Sequence, residues 1–285
     1  MSALIQGSPE WVKMRQSMIG ASDAAIILGV SKFATPFMLW EQKLGLKEVE
    51  VTSAMQRGTA MEEEARKEFE HLHGIAVFPE VTFSKAYPWM MASLDGISLD
   101  LKTLVEIKCV NKRDHQTALE GSVPDHYYPQ CQHQLAVTGL PYMYYFSYDA
   151  MNPATVTVVR DDIYIERMIE KEKEFYRCVM EFDPPPLCDR DYVDRSDDDE
   201  WKKTADMYLS AQKSRKILED HEEVYRKELI RLSEGKNSIG AGVKATRFHR
   251  KGNVQYGKVP ELQGVDLEPY RKPPIETWRI GEIDE

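Results

Sequence analysis

The chain has 285 residues, 42% of them hydrophobic and 29% charged, with a net charge of −10. This is the composition of a soluble globular protein, large enough for one domain or for one domain plus an extension. The acidic balance argues against broad nucleic-acid binding, although it leaves room for a local basic groove. No apolar run is long enough to span a membrane, and the opening MSALIQGSPEW lacks the basic and apolar regions of a leader. The four cysteines (Cys109, Cys131, Cys178, Cys188) are scattered and form no C-x-x-C pair for zinc or an iron–sulfur cluster. They point to reduced thiols in a cytoplasm.

Taken in chain order, residues 8–47 are expected to be mostly helical. Ser22 or Asp23 is a candidate cap for a short apolar helix through Ala24, Ile26, Ile27 and Leu28, ended by Gly29. Thr35 and Pro36 open another helix, with proline in the first position, where it needs no N–H. In GTAMEEEARKEFEHLHG, Thr59 is the expected cap, Met61, Ala65, Phe69 and Leu72 form the apolar stripe, and Gly74 stops the helix. From about 76 to 110 the hydrophobic period becomes two, predicting strands near Val77–Phe83, Trp89–Leu94 and Leu104–Val110. PDHYYPQCQHQLAVTG is helical again, with Pro129 confined to the first turn and Gly139 just past the end.

YMYYFSYD and TVTVVR predict two strands joined through Asn152 and Pro153. An amphipathic helix over 162–182 follows, ended by the prolines at 184–186. That order predicts an α/β (α+β) domain, a mixed central sheet flanked by helices, over residues 1–195. Beyond Pro186 the texture is different. The extension, 196–285, is expected to hold a charged helix over 200–234, a basic hairpin over 238–259 turning at Lys251-Gly252-Asn253, and a tail.

The chemistry concentrates in SLDG…VEIKCV. On a strand, residues i and i+2 share a face, so Glu106 and Lys108 point one way while Val105, Ile107 and Cys109 point the other. Phosphodiester hydrolysis with a divalent metal explains why such a strand carries both charges. Mg²⁺ takes hard oxygen ligands and one or two protein carboxylates, leaving positions for water and phosphate. Asp95 at the end of one strand and Glu106 in the next can converge on the ion, with the Ile107 carbonyl as a third oxygen. Lys108 can orient or deprotonate the attacking water and offset charge on the phosphorane. The bland alternative is a surface Glu–Lys pair on a half-solvated strand.

These residues resemble the PD-(D/E)xK nuclease signature, with Leu94 where its name has proline. The neighbouring segments resemble the lambda-exonuclease type, the YqaJ-like viral recombinase family. WVKMRQSMIGASDAAIILG is similar to its R…G-A-S opening, RGTAMEEEAR to its G-x-x-x-E helix, and HYYPQCQHQLAVTG to its Y-x-x-Q-x-Q helix. The resemblance runs over roughly residues 8–185 and implies a restriction-endonuclease-like core. It implies Asp95 and Glu106 as principal metal ligands, Glu62 as a further ligand directly or through water, and Lys108 as the catalytic lysine. Gln130 would touch the site, and Arg15 and Ser22 would bind the 5′ phosphate of DNA. Read without the resemblance, Glu62 also fits a first-turn helix acid and Ser22 a plain N-cap.

The activity so implied is a phage-type Mg²⁺-dependent alkaline exonuclease, with Mn²⁺ as a possible substitute. It would digest linear double-stranded DNA 5′ to 3′ into 5′-mononucleotides, leaving 3′ overhangs. The implied partners are double-stranded DNA ends, a single-strand annealing protein and further copies in a ring-shaped homotrimer. The implied setting is the cytoplasm of a bacterial host, the gene being phage or prophage encoded. Lys244, Arg247 and Arg250 lie in a stretch, 236–258, that holds no acidic residue. They are candidate contacts to the duplex backbone, or the lysines and arginines of a solvated edge hairpin. Alternative readings are a same-fold endonuclease, a Cas4/RecB-like nuclease, and a non-catalytic DNA-end-binding recombination protein. The histidines His126 and His133 are expected to serve packing or the helix surface.

Overall fold

The computed structural model describes residues 8–47 and 53–250, with the single positions 252, 259, 260 and 265. Within 53–60, the side chains at 53–55, 57 and 59 fall outside the described set. The chain divides after Val193 into two compact units.

The first unit opens with helix α1 (Pro9–Gln16), the two-residue strand β1 (Ile19–Gly20), α2 (Ala21–Ile27) and α3 (Pro36–Lys43). Helix α4 (Ser53–His73) leads into β2 (Val77–Phe83), β3 (Met90–Ser98) and β4 (Leu104–Lys108). After α5 (Lys112–Leu119) and α6 (Tyr128–Thr138) come β5 (Tyr142–Ser147), β6 (Ala154–Val159) and α7 (Asp162–Met180). The strands form one mixed six-stranded sheet, ordered β1-β3-β4-β5-β6 with β2 on β3. Strands β4 and β5 are parallel, while β3–β4, β2–β3 and β5–β6 are antiparallel. This is the mixed sheet flanked by helices that the element order predicts.

Alternation along the strands sorts the two faces. Val105 and Ile107 pack with Ala65 and Phe69 of α4 and with Phe146 and Tyr148. Leu94, Leu104, Tyr145 and Val156 pack on the other face with Leu135 of α6, Ile165 and Met168 of α7, and Ala24 of α2. Phe69 and Phe146 meet edge to face, with ring centroids 5.5 Å apart. Each fully buried ring of this size contributes about 2–3 kcal/mol of transfer free energy. A buried ion pair ties the layers: His133 Nδ1 lies 2.7 Å from Glu172 Oε1, and His133 Nε2 lies 3.0 Å from the Met91 carbonyl. Burial opposes protonation of His133, but Glu172 outweighs it and raises the imidazole above its ordinary range. His133 is a packing residue, as the sequence suggested, with an ionic partner the sequence did not reveal.

Several boundaries move for physical reasons. Helix α4 begins at Ser53, so Thr59 lies inside it rather than at its cap, and Glu62 is mid-helix rather than first-turn. A glycine inside a helix costs only about 1 kcal/mol, less than the packing of Ala65 and Phe69 returns. Gly20, not Ser22 or Asp23, caps α2, and Asp23 Oδ2 accepts the Gly20 N–H at 2.8 Å from the helix's first turn. Thr35 and Pro36 open α3 as expected, with Thr35 Oγ1 accepting from Met38 N at 3.1 Å. Helix α5 was not foreseen, although Asn111 caps it through Arg113 N and Asp114 N.

The second unit contains helix α8 (Asp199–Leu232) and a hairpin of β7 (Ser238–Gly240) and β8 (Val243–Ala245). Whereas the turn expected at Lys251-Gly252-Asn253 falls largely outside the described residues, this hairpin turns at Ala241-Gly242. Both turn residues have positive φ, 46° and 79°, as the two-residue turn that suits twisted strands requires. Positions 251 and 253 lie outside the described residues. No residue of α8 is buried. Among the described residues, no helix is long and apolar enough to cross a membrane.

Candidate active site

The site forms where the sheet forks. Strand β3 pairs along one edge with β2; on the other edge it meets β1 at Met90 and Met91, then β4 at Gly96 and Ile97. Between Met91 and Gly96 that second edge has no strand partner among the described residues. The register against β2 also shifts here: Phe78 faces Ile97 but Glu80 faces Leu94, so β3 carries one extra residue at Asp95-Gly96. A bulge of this kind bends its strand and re-aims a side chain. Asp95 uses the freedom to accept the Ile107 N–H on Oδ2 at 2.9 Å, in place of a backbone ladder bond. The N–H and C=O of one strand residue point to the same edge, so the Ile107 carbonyl also faces the fork. Gly96 is required by close approach: a Cβ there would lie 2.7 Å from both Val105 Cγ1 and Val77 Cγ2.

Glu106 is 1% exposed and faces helix α6. Gln130 Nε2 donates to its Oε1 at 2.5 Å, Gln134 Nε2 donates to its Oε2 at 2.5 Å, and Lys108 Nζ pairs with Oε1. The Lys108 ammonium also lies 5.3 Å from the Tyr127 ring centroid, where the π face favours a cation. Gln134 is fully buried. The fork leaves Glu106 facing α6, and a buried carboxylate needs donors. The i, i+4 spacing of Gln130 and Gln134 on one helix face was the signal available. Gln134→Leu is expected to reduce nuclease turnover about 10–100-fold, as the loss of a group that orients a ligand does. Steady-state rates with metal held in excess check this.

The electrostatics of the fork favour an added cation. Burial raises the Asp95 carboxyl well above its ordinary range, and the Glu106 charge raises it further, only partly offset by Lys108. Burial likewise opposes the Lys108 charge, but Glu106 and Asp95 outweigh it and hold the ammonium above its usual range. Two carboxylates and a backbone carbonyl form a hard-oxygen donor set, which fits Mg²⁺ or Mn²⁺ with positions left for water and phosphate. Glu62 stands apart: its Oε1 accepts from Arg66 Nη2 at 3.0 Å, while Arg66 Nε donates to the Asp95 carbonyl at 2.9 Å. Its charge still acts on Asp95. Among the described residues no three His, Cys, Asp or Glu side chains form a closed metal cage.

Arg15 and Ser22 do meet. Arg15 Nη2 donates to Ser22 Oγ at 2.5 Å and to Asp23 Oδ1 at 2.8 Å, with its guanidinium 5.2 Å from the Trp11 ring centroid. Asp23 is 2% exposed, and its Oδ2 accepts from the buried Lys43 Nζ at 2.6 Å. Lys43 also donates to the Arg15 and Met18 carbonyls at 2.7 and 2.6 Å. Burial would raise Asp23, yet Lys43 and Arg15 prevail and hold its carboxyl far below the usual range. The corner carries two cations and one anion, a surplus of one positive charge. Trp11 Nε1 donates to Ser93 Oγ at 3.0 Å, which anchors the corner to the strand bearing Asp95. Lys43 was not singled out in the sequence, and Asp23 only as a candidate helix cap. Lys244 lies on β8 of the second unit, and Arg247 N donates to Asn237 Oδ1 at 2.8 Å; Arg250 follows.

The fold matches that of alkaline exonucleases. Two crystal structures of LHK-Exo, an alkaline exonuclease from Laribacter hongkongensis, are similar to this chain. One matches at 29% identity and a TM-score of 0.53, the other, in complex with dAMP, at 28% and 0.54. Each comparison covers 61% of this chain and 93% of that one. Residues 10–141 match the YqaJ-like viral recombinase domain. The uncharacterized protein YqaJ of Bacillus subtilis (strain 168) is 32% identical over 174 residues, covering 59% of this chain and 54% of that protein. The chain thus spans about half the length of this curated relative.

Proposed function

We propose that the protein is a Mg²⁺-dependent exonuclease that digests linear double-stranded DNA from 5′ ends, releases 5′-mononucleotides and leaves 3′ single-stranded overhangs. The observation that carries the reading is the buried Glu106, clasped by Lys108, Gln130 and Gln134 beside an Asp95 whose ionisation burial and Glu106 oppose. Asp95, Glu106 and the Ile107 carbonyl would hold the ion. When bound, it supplies Lewis-acid activation and neutralises charge on the scissile phosphate. Lys108 sets a positive charge where negative charge develops on phosphorus, and orients the attacking water. Gln130 and Gln134 fix the Glu106 carboxylate, so that it need not reorganise during the reaction. Arg15 and Ser22 take the 5′ phosphate, drawn by the surplus positive charge of their corner.

The likeness to an exonuclease that has been crystallised with dAMP supports a mononucleotide product. A single-strand annealing protein as partner, a ring-shaped trimer, and a phage or prophage gene acting in bacterial cytoplasm belong to the same proposal. A time course with Mg²⁺ on linear duplex labelled at either end, beside covalently closed circles, tests it. We expect mononucleotides from the 5′ strand, intact circles and slow release of 3′ label. Cleaved circles would make the protein an endonuclease, and an unchanged linear duplex at every Mg²⁺ and Mn²⁺ concentration would leave only an end-binding protein.

A further inference from the structure

Helix α8 carries an apolar seam that is largely exposed among the described residues. Stepping alternately three and four residues from Trp201, the seam ends at Leu232 and is interrupted only by Thr204, Arg215 and Glu222. Trp201, Leu218, Tyr225 and Leu232 on it are 60, 67, 68 and 60% exposed. A hydrophobic period of 3.5 residues is a pattern that a second helix of the same period matches, knob into hole. Contiguous exposed apolar surface of this kind marks an interaction site.

The two ends of the helix carry opposite charge. Before it, DRSDDDE puts five acids and one arginine into residues 194–200. After it, the stretch 236–258 holds Lys236, Lys244, Arg247 and Arg250 and no acid. Beside the C-terminal half, Leu218, Tyr225 and Leu229 face Val243 and Phe248 across a cleft of about 920 Å³, also lined by Lys236, Lys244 and Arg247.

We propose that α8 pairs antiparallel with α8 of a second copy, whose Trp201 and acidic run enter this cleft. The register that sets Trp201 opposite Leu232 of the second copy also sets Leu218 opposite its Arg215 and brings Arg215 within one turn of its Glu222. Antiparallel pairing joins the acidic run to the basic segment at both ends. Parallel pairing would put acid on acid, base on base and Arg215 on Arg215, each repulsive. The basic segment is thereby assigned to the second copy rather than to a DNA backbone. The pairing stands independently of the nuclease reading and of how the first units assemble.

Mixed disulfide cross-linking of the full chain, in a Cys188→Ser background that removes an exposed thiol, tests the orientation. Trp201→Cys and Leu232→Cys proteins, mixed and oxidised, should form cross-linked dimers, and neither should do so alone. Residues 201 and 201 of two antiparallel helices lie about 45 Å apart at 1.5 Å per residue. Separately, Leu218→Glu with Tyr225→Glu should halve the mass measured by light scattering. Lys236→Glu with Arg247→Glu should do the same, and adding Asp197→Lys and Glu200→Lys should restore it. Self-cross-linking of either single variant would overturn the antiparallel assignment. So would an unchanged mass in both charge and apolar variants, including the case in which Lys236→Glu and Arg247→Glu lower only DNA affinity.

Discussion

Asp95→Asn and Glu106→Gln are each expected to lower DNA cleavage about a thousandfold or more, with DNA affinity within a few-fold of wild type. Both substitutions keep the shape of the side chain. Asparagine can still accept the Ile107 N–H that Asp95 now accepts at 2.9 Å. What each removes is one unit of negative charge from a fork where two acids face one lysine. With that charge gone, the hard-oxygen set no longer favours a divalent cation, and the phosphate loses the stabilisation that such an ion and a correctly placed Lys108 provide together. On the proposed reading DNA affinity would rest on phosphate contacts elsewhere, including the Arg15 corner, and would persist. Single-turnover cleavage measured beside fluorescence anisotropy separates the two. Loss of binding in step with cleavage would mean that the acids act through the fold.

The second large effect is on stability. Asp23→Ala is expected to cost about 3–5 kcal/mol, because it strands the buried Lys43 ammonium without its counter-charge. Asp23→Leu combined with Lys43→Met should recover most of that loss, since a packed apolar pair replaces a buried ionic one at little cost. Denaturant unfolding of the three variants gives the comparison. The pair also predicts a pH dependence. The folded carboxyl lies far below its unfolded value of about 3.9, so its contribution is complete above that value and is lost as the pH falls toward the folded one. Acid unfolding of the wild type should therefore be steep below about pH 4, and shallower in the double variant. Equal acid sensitivity in both would contradict the role given to Asp23.

Much of the fold was legible because it rests on local pattern. The change of period at Val77 and the Thr35-Pro36 helix start both appear in the structure. Gly139, just past α6, shows the expected left-handed φ of 75°. Misplaced boundaries came where packing overrode a local signal. Gly58 and Thr59 look like a helix start, yet α4 runs through them. Strand β3 was expected to stop at Leu94, since no propensity announces that a bulge carries it on through Asp95-Gly96.

The site divides in the same way. Asp95, Glu106 and Lys108 could be read from strand alternation. Arg15, Ser22 and Gln130 came from resemblance, and the structure places Arg15 beside Ser22 and Gln130 on Glu106. Gln134 and Lys43 were missed, and Asp23 was read only as a cap, because a polar residue on a helix is ordinarily solvated. Only the fork in the sheet and the buried corner beneath Arg15 make partners of them.

On the proposed reading Asp95, Glu106 and the Ile107 carbonyl hold one divalent cation at the fork. Crystals soaked in Mn²⁺ should show, by anomalous diffraction, a single strong peak within about 2.0–2.6 Å of oxygens from all three residues, absent in Asp95→Asn crystals. A peak elsewhere in the first unit with the fork empty, or a peak at the fork unchanged by Asp95→Asn, would contradict it.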